Sequence, residues 1–139
     1  MKLNKLNLII GIILLLGFFI SGQYLKLYFK PNHLDQHLMR LQIRSNHLYL
    51  LLIACLNIIS FKTQTDLKIK FQKTINITWR TCLIIAGLFF ALAFLKEHTG
   101  EIKNRILTLT GAILTLTSIG FFLLNETISH LKKKHITQV

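Results

Sequence analysis

Four stretches of this chain carry no charged residue, and charge crowds the gaps between them. They run Leu6–Leu25, Ser45–Phe61, Thr81–Leu95 and Ile106–Asn125. A helix rises about 1.5 Å per residue, so a stretch of about 20 residues covers the roughly 30 Å of hydrocarbon in a bilayer. The first and fourth stretches meet that length unaided. The second is closed by Arg44 and Lys62, whose long stems can lie along lipid while their charges reach water. The third is the shortest. It is expected to span by using Trp79 as an interfacial anchor, with Arg80 and Lys96 reaching outward. A soluble domain of this size would instead alternate polar and apolar faces along each helix.

The pattern therefore predicts an all-α membrane protein of one domain, with four transmembrane helices in a compact up-down bundle. The spans are expected at about 6–28, 44–61, 78–96 and 105–125. Lys2 and Lys5 ahead of an apolar run also resemble a signal peptide. Leu8–Ile20 is long for one, and no A-x-A pattern follows it, so an uncleaved anchor is expected.

The connections are polar and basic. Lys26–Arg44 holds Pro31, the only proline, and Lys96–Arg105 is a tight turn around Thr99 and Gly100. A basic loop is predicted over 62–78 and a basic tail over 126–139. In that loop Leu67, Ile69, Phe71, Ile75 and Ile77 look strand-like. A lone strand at a membrane leaves its backbone unpaired, so an interfacial segment dipping its apolar residues into lipid is expected.

Charge changes the picture of partners. The formal net charge is +12, from 17 Lys and Arg against 5 Asp and Glu. In a soluble domain that excess would suggest nucleic acid. Here the bases edge the apolar blocks, which points to anionic lipid head groups in the bilayer and to no nucleic-acid partner. Ten of the 17 fall on the side of the termini and the 62–78 loop, which orients both termini toward the cytoplasm. Cys55 and Cys82 form no CxxC motif. Lone cysteines and abundant lysine fit a bacterial inner membrane.

Small and hydroxyl residues mark the expected helix contacts. Thr108, Gly111, Thr115 and Ser118 share one face of the fourth span, flanked by Asn104 and Asn125. The first span offers Gly11, Gly17 and Ser21, and the third Ala86 with Ala93, or Gly87 with Ala91. Such seams let helices of one bundle, a second copy or another membrane protein approach closely.

One region holds candidate chemistry. Pro31 and Asn32 suit a helix start, and nothing beyond them breaks a helix before the second span. On a continuous helix His33, His37, Arg40, Arg44 and His47 share an arc of about 80°. The turn containing Glu97, His98 and Glu101 is expected on the same membrane face. His33, His37, His47 and His98 are thus candidate ligands for a transition metal or a haem. Arg40 and Arg44 oppose a bound cation and form instead a head-group or anion stripe.

The four apolar blocks contain no Asp, Glu, Lys or Arg, whereas transporters and proton relays carry ionisable groups inside the membrane. The leading expectation is a non-enzymatic structural, accessory or scaffolding protein without a cofactor. The alternatives are a metal- or haem-binding redox accessory protein and a holin-like pore former.

Overall fold

The computed structural model describes residues 3–29, 36–63, 70–97 and 105–136. Four helices account for nearly all of them: α1 (Leu3–Tyr24), α2 (His37–Lys62), α3 (Lys70–Lys96) and α4 (Ile106–Ile136). A π-helical turn, Leu25–Phe29, prolongs α1. There is no strand among the described residues. All four helices are long and apolar enough to cross a membrane.

Successive helices run antiparallel. Asn7 near the start of α1 meets Asn57 near the end of α2, and Ser21 near the end of α1 meets His47 in the first half of α2. Glu97, just past α3, meets Thr108 at the start of α4, and Ser118 meets Trp79 farther down the same pair. α1 packs along α2 and α3 along α4, and α3 joins the two hairpins by touching α2 and α1. The core between them holds Leu14, Ile53, Ala54, Leu83, Ala86 and Phe90.

Close approach depends on small residues both within each hairpin and between the two. A Cβ at Gly11 would fall 2.7 Å from the Ile58 side chain and 3.0 Å from the Ile58 backbone nitrogen. Gly87 similarly admits the Leu14 side chain and Gly111 the Phe90 ring. Lipid gives helices no hydrophobic reason to associate, so such backbone proximity supplies much of the contact energy.

The bundle has apolar side chains outside and much of its polarity within. Ile13, Leu16, Ile20, Leu95 and Leu116 are exposed, whereas Asn7, Asn46, Asn57, Arg80, Ser118 and Asn125 are at most 1% exposed. Such an arrangement suits hydrocarbon as the surrounding solvent.

The helix boundaries depart from the sequence pattern in three places. α3 begins at Lys70, so the basic connection is shorter than 62–78. Phe71 and Ile75 belong to the stretch whose alternation looks strand-like. Gln72, Ile75, Asn76 and Trp79 are buried at helical spacing instead. α4 continues to Ile136, past the expected end at 125. α2 begins at His37, because Gln36 has φ −96° and ψ 71° and makes no side-chain cap. Residues 31–35 of the helix predicted from Pro31 lie outside the described residues, Gln36 is not helical, and the helix runs from His37 into the span.

Candidate functional site

The buried polar side chains gather at the two ends of the core. At one end Asn46 of α2 is fully buried between α3 and α4. Its amide donates to the carbonyls of Ala93 (3.1 Å) and Glu97 (3.2 Å), at the C-terminus of α3. Carbonyls at a helix C-terminus run short of N–H partners, and an inward asparagine supplies a donor; the Ala93 carbonyl also accepts from the Glu97 N–H at 2.8 Å. The Asn46 Oδ1 accepts from Arg105 and lies 3.1 Å from Thr108 Oγ1, whose proton goes to the nearer Glu97 carboxylate. The Glu97 carboxylate accepts from the backbone N–H groups of Leu107 and Thr108 and from the Thr108 hydroxyl. A carboxylate on the first turn of α4 satisfies orphan donors and complements the helix dipole. Asn46 thereby links three helices through one side chain.

At the other end Arg80 is 1% exposed. The span pattern predicts an Arg80 reaching outward to the interface; its guanidinium instead turns into the bundle. It donates to the carbonyls of Ser60 and Thr63, each at 2.6 Å, and to the side chains of Thr63 and Asn76. The inward turn follows from position: α3 starts early, so Arg80 lies beneath the C-terminus of α2, whose unpaired carbonyls attract a cation. Trp79 lies under the guanidinium, 4.6 Å from ring centroid to Cζ. Nearby, Asn7 donates to Asn57 (3.0 Å) and Ser118 to the Trp79 carbonyl (2.7 Å). Asn125 is fully buried with neither side-chain atom paired.

The candidate ligand histidines part company. His37 is exposed on the first turn of α2, while His47 is half-buried ten residues on, about 15 Å along the helix. His47 Nδ1 lies 2.9 Å from Ser21 Oγ, and its ring stacks on Phe18 at 4.1 Å between centroids. Ser21 Oγ also bonds the Phe18 carbonyl (2.9 Å). With the hydroxyl proton on that carbonyl, Ser21 accepts from an Nδ1–H of His47, so the pair ties α1 to α2. Among the described residues no carboxylate bonds His47 to orient it as a base, and no three His, Cys, Asp or Glu side chains form a metal-holding group. His33 and His98 lie outside the described residues.

The fourth-span residues Thr108, Gly111, Thr115 and Ser118 are buried on α4. Thr115 bonds the Gly111 carbonyl within its own helix, and Ser118 reaches across to α3. Arg44 is exposed and Arg40 half-buried at the outer end of α2. Together with Lys26 they line a cavity of about 250 Å³ between the ends of α1 and α2. The inward Arg80 and the hub at Asn46 escaped sequence reasoning. The usable signal was an Asn on the buried helical stripe Ile43, Asn46, Leu50, Ile53, Asn57.

Architecture and polar interior together define an all-α membrane bundle of four helices. No family model matches the chain, and neither a curated protein nor a solved structure is similar to it.

Proposed function

We propose that this chain is a multi-pass integral membrane protein with a non-enzymatic, structural or accessory role in the bilayer. The observation that carries the reading is how the interior polar groups are used. The Asn46–Glu97–Arg105–Thr108 cluster and the Arg80–Ser60–Thr63–Asn76 cluster bond mainly to one another and to helix termini. Between them lies a core of Leu14, Ile53, Leu83, Ala86 and Phe90. Groups occupied in this way brace a bundle. A conducting path would need polar side chains continuing through the middle, and a catalytic centre would need them converging beside a substrate cavity.

The reading is tested by reconstituting the purified chain in liposomes and measuring dye and ion release, metal content and the visible spectrum. Sealed vesicles and a colourless, metal-free protein are expected. Release that scales with protein would establish a pore instead, and stoichiometric metal or a Soret band would establish a redox role for the histidines.

A further inference from the structure

We propose that the crevice between α1 and α3 binds one neutral lipid quinone, its hydrocarbon tail along the crevice and its carbonyl-bearing ring beside Ser21 and Tyr24. This goes beyond a bracing role and holds independently of it.

The crevice is set by how two parallel helices part. Leu14 and Gly87 bring α1 and α3 together: a Cβ on Gly87 would fall 2.7 Å from Leu14 Cδ1. One turn further along α1 the walls have separated, and nothing lies within 4 Å of where a Gly17 Cβ would stand. The result is a hollow of about 480 Å³ with Leu14 at its floor, backed by Ile43 and Leu50 of α2. From Leu14 to Tyr24 the α1 wall rises about 15 Å, close to half of the roughly 30 Å hydrocarbon core and so to one leaflet. Ala91 faces this wall from α3, so small side chains flank the path of a tail.

Polarity is confined to one end. Among the described residues the lining is aliphatic or aromatic apart from two hydroxyls, Ser21 and Tyr24, which share a face of α1. Ser21 stands four residues inside Leu25, the last of its uncharged block, about 6 Å below the level where charge begins. A phospholipid keeps its phosphate at that level. A lipid whose polar atoms sink with its tail must be uncharged, because drying a charge costs far more than drying a carbonyl.

Ser21 is placed to donate to such a head. It is buried, and His47 Nδ1 lies 2.9 Å from its Oγ. With His47 giving an N–H to that oxygen, the Ser21 proton is free to choose its acceptor. It rests on the Phe18 carbonyl at 2.9 Å, which the helix's own N–H already serves. Rotation about one bond moves it to a carbonyl in the crevice and strands no buried group. Tyr24 adds a second O–H at the mouth. Phe94 borders the same end from α3, 6.5 Å from the His47 ring, which stacks in turn on Phe18. Aromatic walls favour a flat ring, packed offset or edge-on. An alcohol or ester would gain the hydrogen bond without the ring contact; the two together select a quinone.

The test uses the full chain in neutral detergent micelles and a benzoquinone with a decyl tail, its ring fully substituted so that Cys55 and Cys82 do not add to it. A ligand of the folded state raises the melting temperature in a saturable way. An azido derivative of the same quinone marks its contacts by peptide mass spectrometry. Saturable stabilisation is expected, with label within residues 17–24 and 91–95. Gly17→Trp, which fills the crevice at a position with open space, should weaken apparent affinity by about ten-fold or more. Ser21→Ala should weaken it about two- to ten-fold, the worth of one hydrogen bond. Each variant's own melting curve shows whether it is folded; if Ser21→Ala is not, Gly17→Trp carries the test by itself. Three controls are expected to stabilise far less: the same ring without its tail, decyl alcohol, and lysophosphatidylglycerol with a decyl chain. Equal stabilisation by the tail-less ring overturns the crevice, by the alcohol the ring, and by the charged lipid the neutral head. Unchanged quinone affinity in Gly17→Trp, or label confined to other helices, overturns the site.

Discussion

Arg80 offers the sharpest test of how this bundle holds together, because a buried cation should be a liability unless its bonds offset the cost of drying it. The perturbation is Arg80→Met, which keeps volume and removes charge. The guanidinium makes two 2.6 Å bonds to the carbonyls of Ser60 and Thr63. Hydrogen bonds to a charged group contribute about 1.5–3 kcal/mol each, so the pair is worth about 3–6 kcal/mol gross. Methionine recovers part of this, since burying a guanidinium costs several kcal/mol. It also removes a donor from two carbonyls at the end of α2: the Ser60 carbonyl keeps its bond from the Thr63 hydroxyl at 2.8 Å, and the half-buried Thr63 carbonyl loses the guanidinium. The net expectation is a loss of about 2–3 kcal/mol, or a roughly 30- to 150-fold fall in the folded-to-unfolded ratio. Equilibrium unfolding in mixed micelles measures it directly. Arg80→Lys, which keeps the charge but lacks the planar fork, should lose about half as much. A methionine variant as stable as the parent would refute the reasoning, because desolvation would then equal or exceed the bonds and Arg80 would not brace α2.

Two further outcomes follow from the same geometry. Gly11→Ala should destabilise by about 1–3 kcal/mol, because the added Cβ meets Ile58 and the backbone of α2 must give way. Gly17→Ala, in open space, should be neutral or stabilise by about 0.5–1 kcal/mol; equal effects at both glycines in micelle unfolding would contradict the close contact at Gly11. Glu97→Gln should weaken the start of α4 by about 1 kcal/mol. Faster amide exchange at Leu107 and Thr108, with the centre of α3 unchanged, is the signature to look for.

What the sequence determined by itself is the class of fold. Four uncharged stretches of about one bilayer thickness must satisfy their own backbone groups, and helices do that without reference to any partner. Gly11 and Gly111 likewise stand where the helices approach closely, since the spacing of small residues follows a helix face.

The site was decided by tertiary structure, because polar residues acquire their roles from what another helix presents to them. Arg80 looks like an interfacial anchor when its own span is counted, and becomes a cap only once the C-terminus of α2 is set against it. Asn46 is one amide in a polar run until the end of α3 and the start of α4 converge on it. Of the histidine stripe, His37, Arg40, Arg44 and His47 stand on α2, which starts after the non-helical Gln36, and His33 lies outside the described residues. Lys26 belongs to a different helix from Arg40 and Arg44, so the pocket they share has no local signature in the chain. Backbone hydrogen bonding is a property of each segment, whereas charge and polarity inside a bundle are settled between segments.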